Sequence, residues 1–371
     1  MPQTASRVGS AVGFAAHLGR GLQRLGTDVL VGRMRALPRA VDDLDARFLS
    51  RIMGANVTSV SVIDADAGTS SRARLALTGD EVPQTVFVKM SAETVATRLI
   101  GEMGRLAATE TRFYREFACL LTGLPKVYGS AFDAVTGRFV LVLEDLTAEA
   151  CEFADTQHPL SPDQAGRVVD LLARVHATFW EHVPGWVYST SADTAALLTG
   201  PLLKASARRI AARTDIPVER GRFIDDNYRA VAALIDRPPN TVLHGDTHPG
   251  NIYFRKGEAG LLDWQAVRRG HPGRELAYTL VTGLDTADRL AHQRDLLDRY
   301  RSALAGAGGP DLDREELWDR YRTGAHYAYV AALITAGMGG MQTEGIAMAG
   351  LRRAVAALDD LDTVALLGKS L

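Results

Sequence analysis

His244-Gly245-Asp246-Thr247-His248-Pro249-Gly250-Asn251, followed twelve residues past its asparagine by the aspartate of Leu261-Leu262-Asp263-Trp264, decides how this chain is read. Thr241-Val242-Leu243 leads into the stretch and Ile252-Tyr253-Phe254 leads out, while Leu261-Leu262 follows the turn Arg255-Lys256-Gly257-Glu258-Ala259-Gly260. These runs are short, largely β-branched or aromatic, and bounded by turn formers, so each reads as a strand. A hairpin between the last two brings Asn251, at the start of one strand, beside Asp263, at the end of its partner. Pro249-Gly250 bends the chain just before Asn251, which makes the motif a loop able to present polar side chains into a cleft. One amide oxygen and one carboxylate suit magnesium, which takes few protein ligands and completes its octahedron with phosphate and water.

The aspartate five residues before an asparagine repeats the spacing of the kinase catalytic loop, in which the Asp receives the acceptor hydroxyl's proton and the Asn holds a magnesium ion. Here the chain resembles the aminoglycoside phosphotransferase and choline kinase superfamily, whose motif reads H-G-D-x-H-x-x-N followed by hydrophobic-Asp-Trp. Asp263-Trp264-Gln265 and the features upstream look most like its ecdysteroid-kinase-like branch. The resemblance implies an α+β, protein-kinase-like two-lobed fold, with Asp246 as catalytic base, Asn251 and Asp263 as magnesium ligands, and ATP as phosphoryl donor to a small-molecule hydroxyl acceptor. Two other readings attach to the same residues. His244, Asp246 and His248 alternate as three zinc ligands could, and the two histidines could equally brace the loop through both ring nitrogens. The bracing role is the preferred one for the histidines.

Residues ahead of the motif supply a nucleotide lobe. Val57 to Ile63, Arg72 to Leu77 and Thr85 to Met90 alternate as strands. Asp64 to Ser71 lies between the first two and reads either as an ordinary hairpin or as the loop over the phosphates, with Gly68, Ser70 and Ser71 supplying backbone and hydroxyl donors. Lys89, one of only five lysines, ends an apolar strand where its charge must find a partner. By resemblance it contacts the nucleotide phosphates and pairs with a glutamate on the following helix. Glu110, in the E-x-x-F-Y-like segment Glu110 to Tyr114, is the first choice and Glu102 the second. Phe139 to Leu143 is an unbroken apolar run suited to a strand buried on both faces. Glu144-Asp145-Leu146 follows and resembles the linker between lobes, where the Glu144 carbonyl and Leu146 N–H would read adenine.

Beyond the linker the pattern turns helical. Ser161-Pro162-Asp163-Gln164 combines an N-cap, a proline at the first helical position and a glutamine three residues on. Val168, Leu172, Val175 and Phe179 recur behind it, beside His176 and Trp180, and His176 reads as a satisfied core residue. Past Asp263, Glu275 stands where relatives place an aspartate that steadies the catalytic loop, and its extra methylene puts that role in doubt. Tyr327 to Ile334 with Met338, Met341 and Met348 form an apolar, adaptable surface that suits a hydrophobic or steroid-like acceptor, or simply a core. An aminoglycoside- or choline-type acceptor is the alternative, and a polycation would want clustered acids, of which Asp359, Asp360 and Asp362 are the visible candidates. A catalytically silent nucleotide-binding scaffold is the rival from another class.

At 371 residues the chain has room for two lobes, expected at 45–145 and 146–371. A net charge of −2 gives no electrostatic reason to expect nucleic acid. No apolar run approaches the ~20 residues that span a bilayer, and Cys119 and Cys151 lack metal or redox spacing, which suits a cytoplasmic enzyme. Residues 1–44 form a basic helical leader. Within its first 41 residues Arg7, Arg20, Arg24, Arg33, Arg35 and Arg39 are set against a single acid, Asp28, and Phe14, Leu18, Leu22 and Leu25 recur at helical spacing. The leader either packs on the small lobe or, through residues 7–35, lies on a membrane surface.

Overall fold

The computed structural model describes residues 2–194, 196–340 and 342–371, with side chains from residue 12 onward, so Met341 and the side chain of Arg7 lie outside the described residues. The chain divides into two compact units. One comprises Met1–Leu120, Leu124–Cys151 and Asp263–Ala266, and the other Leu121–Gly123, Glu152–Leu262 and Val267–Leu371.

The first unit is built on a five-stranded antiparallel sheet. Helices α1 (Pro2–Val31) and α2 (Ala46–Met53) precede strands β1 (Asn56–Ala67), β2 (Ser70–Asp80) and β3 (Thr85–Ser91); α3 (Val95–Gly104) and α4 (Leu106–Phe117) follow, then β4 (Val127–Phe132) and β5 (Phe139–Glu144). The spatial order is β1-β2-β3-β5-β4. Leu75, Val86, Val88, Val140 and Val142 are fully buried on it and pack with Phe48 and Leu49 of α2. The unbroken apolar run of β5 is buried from Phe139 to Leu143, as a central strand covered on both faces demands.

The phosphate loop expected over Asp64 to Ser71 is shorter than its sequence suggested. β1 continues through Asp64 and Asp66 to Ala67, and β2 resumes at Ser70, leaving Gly68-Thr69 as the turn. The reason is cross-strand charge pairing, since Asp64 stands opposite Arg74 and Asp66 opposite Arg72, each pair joined by hydrogen bonds. Alternating acids that look like a polar loop are one edge of a hairpin whose other edge carries alternating arginines.

The leading helix packs within this unit. His17, Gly21, Leu25 and Asp28 are its buried positions among the described side chains; of the apolar stripe Leu25 is buried, Phe14 and Leu18 are half-buried and Leu22 is exposed. The face has rotated toward Asp28, which is 1% exposed and receives Arg98 at 2.6 Å, Arg138 at 2.7 and 2.8 Å, and Arg39 at 3.5 Å. Burial opposes charge on Asp28, but the guanidinium hydrogen bonds overcome it and hold the carboxyl below its usual range. Arg24 meanwhile pairs with Glu102 at 2.8 Å, and His17 Nε2 donates to the Glu102 carbonyl at 3.0 Å.

The second unit is mainly helical. After β6 (Cys151–Phe153) come α5 (Pro162–Thr178), α6 (Ala196–Ala211) and α7 (Arg222–Ile235), then β7 (Thr241–Leu243), β8 (Ile252–Arg255), β9 (Glu258–Leu261) and β10 (Arg268–Gly270). Helices α8 (Pro272–Gly283), α9 (Thr286–Gly306), α10 (Arg314–Met338), α11 (Glu344–Asp360) and α12 (Thr363–Ser370) complete it. The capping box opens α5, with Ser161 and Gln164 satisfying each other's backbone N–H groups. α5 ends at Thr178, short of Phe179 and Trp180, but Val168, Val169, Leu172, Val175 and His176 are buried as their spacing predicts. Every residue of α8 is buried.

Candidate active site

Lys89 is the centre of the first unit's polar cluster. It sits on β3, paired with Arg72 on one side and Leu141 on the other, and is 5% exposed. Its Nζ lies 2.9 Å from Glu110 of α4, 2.8 Å from Asp263 Oδ1 and 3.4 Å from Gln265 Oε1. The alternative partner, Glu102, is taken by Arg24. Burial disfavours charge on Lys89, yet Asp263 and Glu110 outweigh it and raise its pKa. Burial also pushes the Glu110 carboxyl up to about 7, against the pull of Lys89, with Asp263 adding to the rise. Two carboxylates around one ammonium leave an excess negative charge that a proton on Glu110 relieves. Phe113 of α4 stacks on Trp264 at 4.0 Å and fixes the segment that carries Asp263. Asp263 itself adopts a left-handed φ of 59°, a conformation that Asp tolerates better than most residues.

The hairpin expected after the His-Gly-Asp motif forms. Ile252 stands opposite Leu261, and the Leu262 N–H donates to the Asn251 carbonyl at 2.8 Å, so Asp263 is the next residue along the chain. Pro249–Asn251 makes one tight helical turn, capped by His248 Nδ1 accepting the Gly250 N–H at 3.1 Å. Asn251 Nδ2 donates to the Asp246 carbonyl at 2.8 Å.

The histidines brace the loop. His244 Nδ1 accepts the Asp246 N–H at 3.2 Å, which leaves Nε2 protonated and donating to the Leu262 carbonyl at 2.7 Å. With both nitrogens committed, His244 has none to offer a zinc ion, and the described residues contain no group of three or more His, Cys, Asp or Glu arranged to hold a metal. Gly245 has φ 85°, which a side chain would strain.

Glu275 does brace the loop despite its extra methylene. Its carboxylate accepts the His244 N–H at 3.0 Å and the Gly245 N–H at 2.6 Å, and contacts His176 Nε2 at 2.9 Å. His176, fully buried, meets Tyr300 Oη at 2.9 Å through its other nitrogen. Burial works against charge on Glu275, but the His176 hydrogen bond, nearby imidazoles and the Gly245 amide keep its pKa below the ordinary value.

Tyr278 and Arg274 escaped the sequence reading, and Tyr327 was read only as part of an apolar surface. Tyr278 of α8 donates its hydroxyl to Asp246 Oδ1 at 2.8 Å. Tyr327 of α10 donates to the Gly245 carbonyl at 2.7 Å and packs edge-on against Tyr278 at 5.2 Å. Arg274, one helical turn before Tyr278, places its guanidinium 4.7 Å from the Tyr327 ring centre. Asp246 keeps about a third of its side chain exposed, and its Oδ2 has looser neighbours, Asn251 Nδ2 at 3.5 Å and His248 Nε2 at 3.8 Å.

The remaining expected positions scatter. Ser70 and Ser71 are buried within β2 opposite Ser91 and Met90, not in a loop, and only Gly68 stays in the turn. Glu144 closes β5 with its carboxylate on the Lys126 N–H at 3.0 Å, and Leu146 is buried at the head of a short turn capped by Asp145. Met348 is buried and Met338 exposed. Asp359, Asp360 and Asp362 are each bonded to an arginine: Arg220, Arg289 and Arg322.

Residues 67–322, more than half of the chain, match the family described as the phosphotransferase enzyme family. Among solved structures the chain is similar to a choline kinase from Cryptosporidium parvum Iowa II, at 9% identity over 84% of this chain and 89% of that one, with a TM-score of 0.51. It is also similar to a choline kinase from Streptococcus pneumoniae (14% identity, 83% and 94% covered, TM-score 0.48). An aminoglycoside phosphotransferase from Alicyclobacillus acidocaldarius is a third such structure (10% identity, 86% and 95% covered, TM-score 0.46). No curated protein sequence matches the chain.

Proposed function

The chain belongs to the phosphotransferase enzyme family and carries its protein-kinase-like fold, and from that premise we propose that it moves the γ-phosphoryl group of ATP to a hydroxyl of a hydrophobic or steroid-like small molecule. The nucleotide belongs to residues 45–145 and the acceptor to 146–371, in a cytoplasmic enzyme. The reading rests above all on the His244–Asn251 loop, in which the His244, Gly245 and Asp246 N–H groups are each held by a side chain and Tyr278 holds one Asp246 oxygen while the other has only looser neighbours.

The residues divide the work. Tyr278 holds Asp246 Oδ1, which directs Oδ2 toward the acceptor hydroxyl and its departing proton. Glu275 and His244 hold the backbone N–H groups of His244, Gly245 and Asp246, so the carboxylate is positioned before the acceptor arrives. Lys89, held by Glu110, offers its ammonium to the nucleotide phosphates. Gly68, Ser70, Ser71, Glu144 and Leu146 are the further nucleotide positions, the serines acting from a strand. The donor set of Asn251 and Asp263 is all oxygen and fits magnesium, which when bound neutralises charge on the phosphates.

An amphipathic acceptor is favoured because the acids that could have received a polycation, Asp359, Asp360 and Asp362, are each engaged by an arginine. The test is ATP consumption by the full chain over a panel of steroid-like alcohols, aminoglycosides and choline, with Asp246→Asn as background. Turnover confined to polycationic sugars would reverse the acceptor class. ATP binding without turnover on any acceptor would favour a silent scaffold.

A further inference from the structure

The leading helix has a second face that the fold leaves uncovered. His17, Gly21, Leu25 and Asp28 turn inward, whereas Val12, Leu22, Val29, Leu30 and Met34 are exposed, Leu30 by 83% and Met34 by 84%. Of all large apolar side chains exposed among the described residues, these two are the most exposed; Leu30 lies in the last turn of α1 and Met34 three residues past its end.

Beside them is a cavity of about 790 Å³, formed where the chain leaves α1 and enters α2 and lined by Arg33, Arg35, Arg39, Arg47 and Arg51. The two acids on its wall serve the backbone. Asp43 accepts the Arg39 and Ala40 N–H groups, and Asp45 caps α2 through the Phe48 N–H at 2.7 Å. Arg35 is neutralised by a two-pronged pair with Asp133, and Arg39 reaches Asp28. Arg33, Arg47 and Arg51 have no carboxylate within 4.0 Å among the described residues, and Arg51 lies over the Phe48 ring at 5.4 Å while donating to the Ala36 carbonyl. The wall therefore keeps three guanidinium groups without an ion-pair partner among the described residues.

We propose that this corner of the first unit docks on an anionic membrane surface, with a lipid phosphate headgroup entering the arginine cavity and Leu30 and Met34 reaching the acyl boundary. A soluble phosphate compound would use the arginines but gives no account of the bare apolar tip next to them. A second copy of the chain would cover the tip but not the cations. An anionic bilayer satisfies both, because its interface takes up amphipathic helix ends and attracts nearby arginines together. The contact is peripheral, since no described helix is long and apolar enough to cross a membrane.

The test is co-sedimentation of the full chain with phosphatidylcholine vesicles, with and without phosphatidylglycerol. Binding is expected only to vesicles containing phosphatidylglycerol and should fall as salt rises. Arg33→Ala with Arg47→Ala should weaken it roughly twenty- to thirtyfold, at about fivefold per arginine, and Leu30→Ser with Met34→Ser should weaken it while leaving melting temperature unchanged. Pyrophosphate binding to the arginine cavity without vesicle binding would overturn the proposal in favour of a soluble anion. A concentration-dependent dimer lost in Leu30→Ser/Met34→Ser, again without vesicle binding, would overturn it in favour of self-association.

Discussion

Replacing Glu275 with glutamine tests whether the catalytic loop is held from behind. The carboxylate has three partners, the backbone N–H groups of His244 and Gly245 and the His176 imidazole, at 3.0, 2.6 and 2.9 Å. A hydrogen bond to a buried charged group contributes about 1.5–3 kcal/mol, and leaving a buried donor unpaired costs a similar amount. Glutamine keeps one acceptor oxygen and turns its NH2 toward a remaining donor, so one to two of the three bonds are lost, roughly 3 kcal/mol in all. For a domain of this class that lowers Tm by about 6–12 °C. Because His244 and Gly245 immediately precede Asp246 and set its backbone, kcat should fall about 10- to 100-fold, the range of a mispositioned reacting group. Nucleotide affinity should hold, since Lys89 and Glu110 are untouched. Glu275→Asp keeps the charge but shortens the arm, so it should land between wild type and Glu275→Gln. The sign with pH follows from the depressed pKa of Glu275: its contribution is present above the unfolded carboxyl value near 4.5 and is lost as pH falls through the folded one. Thermal melts and steady-state kinetics on the three proteins settle the matter. A Glu275→Gln protein with wild-type Tm and wild-type kcat would show that the loop holds its shape without this brace.

Asp246→Asn should leave Tm and ATP affinity intact and reduce turnover by about two to four orders of magnitude, and a folded variant with full turnover would remove Asp246 from catalysis. Tyr278→Phe should keep KM for ATP and lower kcat by about tenfold, the loss of one hydrogen bond to a charged group; an unchanged kcat would show that Asp246 needs no such orientation. Asp263→Ala should abolish transfer, and calorimetry should find tight magnesium binding only with ATP present, so turnover surviving chelation refutes the ligand assignment. Burial lowers the His271 pKa to about 3, so the unfolded chain takes up a proton there below about pH 6.5 and stability falls as the medium is acidified, by about 1.4 kcal/mol per pH unit. His271→Asn retains the cap on the Gly273 N–H and should flatten the urea-midpoint profile between pH 6.5 and 4; an unaltered slope would exonerate this histidine.

Much of the frame was legible because it is local. The strand–loop–hairpin at Thr241–Leu261 follows from β-branched runs set between a proline-glycine bend and a glycine turn, and the pairing of Leu262 with Asn251 is its geometric consequence. The run from Phe139 to Leu143 announced a strand covered on both faces, and Ser161 to Gln164 announced a helix start, because each uses residues whose conformational preferences are strong within a few positions. The Lys89–Glu110 pair is different in kind. A buried ammonium must have a partner, but choosing Glu110 over Glu102 took a resemblance, and the structure shows why spacing alone could not choose: both glutamates are ion-paired, one inward to Lys89 and one to Arg24 of α1.

What escaped the sequence shares a physical cause. Tyr278 and Tyr327 reach Asp246 and Gly245 from 32 and 82 residues away. α8 is buried on every side, so its polar positions Glu275, Tyr278 and Thr279 read in sequence like a solvent-facing stripe although they face the loop. Polar patterning misled in the opposite direction at Asp64 and Asp66, where acids that read as a loop are matched by Arg74 and Arg72 on the neighbouring strand. It misled again in α1, where apolar spacing pointed to Leu22 while the buried face is organised around Asp28 and the arginines that neutralise it. In each case a charge that looks solvated in one dimension has its counter-charge delivered by a distant segment. On the cavity between α1 and α2 no such counter-charge reaches Arg33, Arg47 or Arg51 among the described residues, and these cations are the ones the proposed docking surface uses.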